Sequence, residues 1–196
     1  MSNIIKLDGP VPLLFLGMPK CALTSVHMWF RDVVPGYTAS QIFETYDSLD
    51  QLKKDYPGYK TFTIVRNPWD RAVSMWAYMK RDGHFKKILF WDPPPSFDDF
   101  APHLKTRNMG RGWGVSTQFS LLNCKPEDVD WVFKIENLKD EFHVIESITN
   151  SNSKLIHINE SEHEHYSKYY TPETRDMIGQ WFKEYIDMFD YKFSEY

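Results

Sequence analysis

The apolar positions of the chain follow two periods. Leu13 to Leu16 is an unbroken apolar run of strand length cut off by Gly17 and Pro19, and Thr61 to Val65 is a β-branched and aromatic run. Both predict buried strands. Behind the first, Val26, Trp29, Phe30 and Val33 recur at three- and four-residue steps, which predicts a helix from Thr24 to about Val34 that Pro35-Gly36 stops. Behind the second, Asn67-Pro68-Trp69-Asp70 is a helix start with Asn as cap and Pro at the first position. In the connector between them, Ser40 and Ser48 are each placed to cap a short helix, the second ending at Pro57-Gly58. Further on, Trp131 to Ile135 predicts a third strand, Asn137 to Ile148 a helix and Lys154 to Ile158 a fourth strand. The last helix opens at Thr171-Pro172-Glu173, and its stripe of Met177, Ile178, Trp181, Phe182, Tyr185 and Phe189 reads as core. Strands alternating with helices predict an α/β fold, a three-layer sandwich with a central, mostly parallel sheet flanked by helices. Ligands of such sheets sit at the carboxyl ends of the strands.

Chemistry enters at the two places where a strand feeds a helix. In Gly17-Met18-Pro19-Lys20-Cys21-Ala22-Leu23-Thr24-Ser25 a tight turn delivers the chain to a helix start. The N–H groups there lack intrahelical partners and carry the positive end of the helix dipole, so an anion is bound by geometry already present. Lys20 adds a full charge, and Thr24 and Ser25 add hydroxyl donors. The plainer reading is a buried strand and an ordinary helix with Lys20 solvated. A P-loop kinase or NTPase would need Gly-x4-Gly-Lys-Ser/Thr, whereas Lys20 stands four positions before Thr24 with no second Gly before it. The second junction carries Arg66. At about 100° per residue, Asn67, Arg71 and Ser74 share one side of the helix and Trp69, Val73 and Trp76 lie about 160° away. Two such junctions suit one ligand with two separated phosphate groups.

The remaining features narrow the class. At 196 residues, 42% apolar and 16% aromatic, the chain is expected to be one domain with a packed core. A net charge of -4 offers no footprint for nonspecific nucleic-acid binding, so any anion site is local. Cys21 and Cys124 are the two cysteines, without metal-ligand spacing, and predict reduced thiols. With no charged-then-apolar leader in Met1 to Pro10 and no apolar run near 20 residues, the expected location is cytoplasmic, without a membrane span. Residues 82–118 read as a long insertion at the acceptor site, stiff at Asp92-Pro93-Pro94-Pro95 and loose at Gly110, Gly112 and Gly114. Ser96 caps a short helix within it, and Trp91 and Trp113 are candidates to stack on a sugar or to cover the core. His163 and His165 among Glu160, Glu162 and Glu164 read as a solvated loop, not a metal site.

With both junctions in view, the chain resembles the sulfotransferases that use 3′-phosphoadenosine 5′-phosphosulfate (PAPS), and more closely their carbohydrate branch. Pro19-Lys20 through Thr24-Ser25 resembles that family's 5′-phosphosulfate loop. Arg66-Asn67-Pro68-Trp69-Asp70-Arg71-Ala72-Val73-Ser74 resembles its 3′-phosphate motif nearly residue for residue. Weaker matches are Thr117-Gln118, Phe133-Lys134-Ile135-Glu136-Asn137-Leu138 with Phe142, Asn159 and Ser161, and Tyr169-Tyr170 through Tyr191 and Phe193. Cys21, Ala22 and Leu23 depart from it, since the family often has Gly or Ser there. The resemblance implies a P-loop-like fold and a donor-binding set of Pro19, Lys20, Cys21, Ala22, Leu23, Thr24, Ser25, Arg66 and Ser74. Lys20 would be catalytic and no metal would be required. The acceptor would be a glycan or a small hydroxylated molecule. For the base that takes the acceptor proton, Glu44 is the preferred candidate, with Asp47, His27, His84 and His103 as alternatives. Neither the strand ending at Val65 nor that ending near Ile135 is followed by the Asp that would hold magnesium. Besides the kinase, a noncatalytic nucleotide- or glycan-binding protein is the competing reading.

Overall fold

The computed structural model describes residues 3–32, 34–106, 114–151, 154–155 and 163–195. In chain order the strands and α-helices are β1 (Ile4–Asp8), β2 (Leu13–Leu16), α1 (Leu23–Asp32), β3 (Thr38–Gln41), α2 (Leu49–Asp55), β4 (Lys60–Val65), α3 (Pro68–Arg81), α4 (His84–Leu89), α5 (Phe97–Phe100) and α6 (His103–Thr106). They continue with α7 (Gln118–Leu121), β5 (Trp131–Lys134), α8 (Leu138–Glu141), α9 (His143–Ile148), α10 (Pro172–Trp181) and α11 (Lys183–Phe189). The chain separates into two compact units. One is made of 1–65, 110–112 and 116–159, the other of 66–109, 113–115 and 160–196.

The first unit holds a five-stranded mixed sheet in the order β3-β1-β2-β4-β5. β2, β4 and β5 are mutually parallel at its centre, and β1 pairs antiparallel with both β2 and β3. β3 therefore points the same way as β2, and β1 alone runs against the rest. Its register sets Ile5 opposite Phe15 and Leu7 opposite Leu13, so these four share one face. Phe62, Ile64 and Phe133 continue that face, and Val26, Trp29 and Phe30 of α1 with Leu138, Phe142 and Ile145 close over it. Aromatic rings dominate the contact, with Phe15 stacked on Phe62 at 4.9 Å and Trp29 edge-on to Phe142 at 5.3 Å. Burying each such side chain contributes about 1.5–3 kcal/mol. All four residues of β2 are buried, as a strand with neighbours on both edges and cover on both faces must be.

Hydrophobic pattern did not disclose two strands. β1 (Ile4–Asp8) was not predicted, and Ser40 caps no helix, because it lies in β3 with its backbone paired to Lys6. Thr38-Ala39-Ser40-Gln41 has little strand pattern of its own, and pairing with β1 decides its state. Ser48 does cap α2, accepting from the Gln51 N–H at 3.2 Å. Of the strand expected at 154–158, Lys154 and Leu155 are not in a strand, and 156–158 lie outside the described residues.

The second unit is built around α3. Asn67 is its N-cap, accepting from Trp69 N–H at 3.0 Å, with Pro68 at the first position. The two-faced helix expected here is in fact buried nearly all round: Arg71 and Ser74 are as enclosed as Trp69, Val73 and Trp76. The Trp69 indole donates to Arg175 O at 2.9 Å, Tyr170 donates to Trp69 O at 2.8 Å, and Phe193 packs edge-on against Trp69. Burial pushes the Tyr170 hydroxyl well above its ordinary pKa, with Asp70 adding to it, so it stays a donor. Of residues 82–118, the described part that belongs to this unit folds as α4, α5 and α6 and buries Phe85, Phe97, Phe100 and Leu104. Trp113, Gly110 and Gly112 lie outside the described residues. The single terminal helix expected to Phe189 is two, broken at Phe182, whose backbone leaves the helical region.

Candidate functional site

The loop after β2 is shaped by its backbone. Gly17 donates to Asn3 O at 3.0 Å, and a Cβ on it would stand 2.5 Å from that oxygen and 2.3 Å from a Leu23 methyl. Only a glycine passes here. Cys21 N–H then closes a turn on Met18 O at 3.1 Å, and Val26 N–H makes the first helical bond to Ala22 O at 3.0 Å. Lys20 and Ala22 both take left-handed backbone conformations, with φ of 68° and 57°. Each costs a non-glycine residue about 1–2 kcal/mol. Left-handed residues at a turn of this kind change the direction of the chain where it enters the helix, and the Cys21 N–H is used in the turn itself. Of the positions that depart from Gly or Ser, Ala22 takes a left-handed conformation of the kind glycine favours.

The predicted loop residues divide by exposure. Pro19, Cys21 and Ser25 are buried, Lys20, Ala22 and Leu23 half-buried, and Thr24 exposed. α1 has no acidic residue in its first turn, so nothing there repels an anion.

At the second junction Arg66, the residue after β4, lies in the second unit. Its Nη1 donates to the buried Ser74 Oγ at 3.0 Å and its Nε to Asp70 Oδ2 at 2.8 Å. The two residues assigned by resemblance to the 3′-phosphate thus touch, eight positions apart. Asp70 was not singled out by the sequence, although its spacing of four from Arg66 is the signal for such a pair. Its carboxylate holds the guanidinium in one orientation.

The base candidates are spread. Glu44 and Asp47 are exposed between β3 and α2, flanking the buried Tyr46, whose hydroxyl donates to Asp55 at 3.0 Å. Burial first and the Asp55 carboxylate next push that phenol upward, so Tyr46 does not serve as a base near neutrality. His27 is half-buried on α1. His84 bonds Tyr78 at 3.2 Å, and His103 lies edge-on to Trp91 at 4.7 Å. Glu160 and Glu162, like Asn159 and Ser161, lie outside the described residues. Neither cysteine forms a disulfide, and burial pushes the Cys124 thiol up to about 11.

One residue of weak sequence signal has a clear structural setting. Gln118 opens α7 behind the Thr117 cap and is 3% exposed. Its Nε2 donates to Thr63 Oγ1 at 3.0 Å and to Ile64 O at 3.4 Å, while Thr63 Oγ1 donates to Leu16 O at 2.6 Å. This chain of bonds links α7 to β4 and to the last residue before Gly17. Among the described residues, Gln118 Oε1 has no hydrogen-bond partner. Gln118 is one of the residues lining a cavity of about 20 Å³, with Asn3, Leu16, Gly17 and Tyr46 among the others.

No protein-family model matches the sequence, and no curated protein matches it. Among solved structures, the chain is similar to mouse sulfotransferase SULT7A1 complexed with PAP, with a TM-score of 0.58 and 13% identity over 88% of this chain and 83% of that one. It is also compared with a sulfotransferase from Alicyclobacillus acidocaldarius, at a TM-score of 0.43 and 18% identity over 72% of this chain and 57% of that one. The likeness to the mouse protein is one of fold: this chain has the α/β fold of that sulfotransferase, with a sheet parallel at its centre and flanked by helices. No helix among the described residues is long and apolar enough to cross a membrane.

Proposed function

We propose that this chain is a sulfotransferase that moves the sulfuryl group of PAPS to a hydroxyl or amine of an acceptor, with carbohydrate as the leading acceptor class. The loop from Gly17 to Ser25 carries the reading. It brings Lys20 and Ala22, both left-handed in backbone, directly to the start of α1, on a fold shared with a sulfotransferase solved with PAP. In this reading the loop from Pro19 to Ser25 holds the 5′-phosphate through the hydroxyls of Thr24 and Ser25 and nearby N–H groups. Lys20 neutralises the oxygen that leaves sulfur, and Arg66 with Ser74 holds the 3′-phosphate. The acceptor oxygen bonds to sulfur, the bond from sulfur to the bridging oxygen breaks, and adenosine 3′,5′-bisphosphate (PAP) departs with the electron pair. Glu44 takes the acceptor proton, with Asp47, His27, His84 and His103 as the other candidates. Charge develops on the leaving oxygen, where donors already in place stabilise it without reorganising. A sulfuryl group carries less charge than a phosphoryl group, so the reading requires no magnesium.

Calorimetry and radiolabelled transfer test this. PAP is expected to bind, and sulfate to move from labelled PAPS to sugar acceptors in the presence of EDTA. Lys20→Ala is expected to lower the transfer rate by roughly 10²–10³ while the protein stays folded. Heat with ATP and magnesium but none with PAP would replace this reading with the kinase. Binding of PAP without transfer to any acceptor would favour a noncatalytic binder.

A further inference from the structure

The second unit carries an open groove of about 370 Å³, inside the roughly 300–1,000 Å³ range of small-ligand sites. Phe90 and Trp91 form its aromatic part and Asp92, Asp99 and His103 its polar part. Phe90 is the residue that stability does not explain. It caps the C-terminus of α4 in a left-handed conformation with φ of 58°, where glycine fits freely and a bulky residue is strained. Its ring is 87% exposed, so little packing offsets that strain. A phenylalanine strained in backbone and wet in side chain is expected where the ring meets a partner. Trp91 beside it is braced. The fully buried Phe85 lies parallel to its ring at 6.0 Å, His103 is edge-on at 4.7 Å, and the Trp91 N–H donates to Phe85 O at 2.9 Å. Pro95, also in the lining, is anchored to α3, its carbonyl accepting from the Trp76 indole at 3.0 Å.

The polar groups choose among partners. Asp92 and Asp99 are exposed, and ionised carboxylates can only accept, so they turn anions away and receive hydroxyl protons. Their charge is compensated. Lys86 pairs with Asp92 at 2.6 Å, Ser96 donates to Asp99 at 2.6 Å, and residues 81–105 hold four basic and four acidic side chains, so a cation gains no long-range attraction. Acceptors without net charge beside an exposed ring suit a neutral ligand that carries hydroxyls around an apolar C–H face. A pyranose is such a molecule.

We propose that this groove binds a pyranose ring, with the C–H face of the sugar on Phe90 and its hydroxyls donating to Asp92 and Asp99. The site stands on the groove by itself. The sulfotransferase reading is needed only to make that sugar part of the acceptor, and the experiment keeps the two apart.

The test uses the full chain, labelled with ¹⁵N and free of PAP. Methyl β-D-glucopyranoside, methyl β-D-galactopyranoside, sorbitol and cyclohexylammonium chloride are titrated in, and the Trp91 indole N–H signal, identified by its loss in Trp91→Phe, is followed. At least one pyranoside is expected to move it saturably. Sorbitol, which has the hydroxyls without the ring face, should need a roughly tenfold higher concentration. Phe90→Gly is expected to weaken the pyranoside about tenfold while its urea midpoint equals or exceeds that of wild type, because glycine relieves the left-handed backbone. Asp92→Ala should weaken it about fivefold, the worth of one hydrogen bond. An indole signal unmoved by both pyranosides, an affinity unchanged in Phe90→Gly, or sorbitol binding as tightly as the sugars would each overturn the proposal. Tighter binding of cyclohexylammonium than of either sugar would replace it with a cation site. PAP binding is measured separately on the wild type, and a chain that binds the pyranoside but no PAP keeps this site and loses the donor reading.

Discussion

At Gly17 the chain passes between a carbonyl and a leucine methyl with no room for a side chain. Gly17→Ala must push both aside, and the backbone oxygen of Asn3 is the acceptor of the Gly17 N–H itself. A loss of about 1–3 kcal/mol in urea unfolding is expected, with weaker PAP binding because the loop is displaced. In the proposed reading Arg66 and Ser74 hold a different part of the ligand. Ser74→Ala removes one neutral donor and is expected to weaken PAP binding roughly 3–10-fold. Arg66→Ala removes a charge and is expected to weaken it by about a hundredfold or more. Isothermal titration of both variants checks this order, and equal effects would mean that Ser74 serves only to place the guanidinium. Asp70 cannot be read from charge alone. It offsets the charge of Arg66, yet its bond to Nε holds the guanidinium in one orientation, and in the proposed reading ordering that long side chain beforehand lowers the entropic cost of binding the phosphate.

At the scale of elements, the two helix starts differ in how they are held. α3 is locked by its cap. Asn67 accepts from Trp69 N–H while its own amide donates to Lys192 O at 3.0 Å, so one side chain fixes both the helix start and the chain near the C-terminus. Asn67→Ala is expected to cost about 1–2 kcal/mol, read as a lower midpoint of thermal unfolding, and Asn67→Asp, which keeps the cap but not the donated bond, to cost less. α1 instead begins from a residue in a left-handed conformation. Its loop keeps its shape against local preference, as expected where a ligand needs the backbone N–H groups. β4 and β5 are tied at their first residues by Asp130, which accepts from Thr61 N and Oγ1 at 2.8 and 2.9 Å and from Lys60 Nζ at 2.8 Å.

For the molecule as a whole, acid is the condition that tests these ties together. Burial alone would raise the Asp130 carboxyl, but the bonds from Lys60 and Thr61 outweigh it and hold it below its ordinary range. Asp8 is lowered in the same way, by Lys6 and Tyr59 against burial. A carboxyl lowered by folding binds its proton less readily in the folded state than in the unfolded one. Its contribution is complete above the unfolded pKa of about 3.9 and is lost as pH falls through the folded value. Denaturant unfolding from pH 7 to 3 should show stability falling below about pH 4, and Asp130→Asn should flatten that fall while lowering stability near neutrality. An unchanged acid limb in the variant would mean that the tie contributes nothing. The sequence alone determined the elements whose residues repeat at one period, β2, β4, β5, α1 and α3, together with Asn67 as a cap and the order of the two junctions, because these depend on neighbours along the chain. Only tertiary structure decided that Thr38–Gln41 is a strand, that Arg71 and Ser74 are enclosed, that Asp70 sits on Arg66 and that Gln118 reaches Thr63. Each of these depends on groups brought together from separate stretches or turns of the chain, and a hydrogen bond is decided by distance in space rather than by separation in sequence.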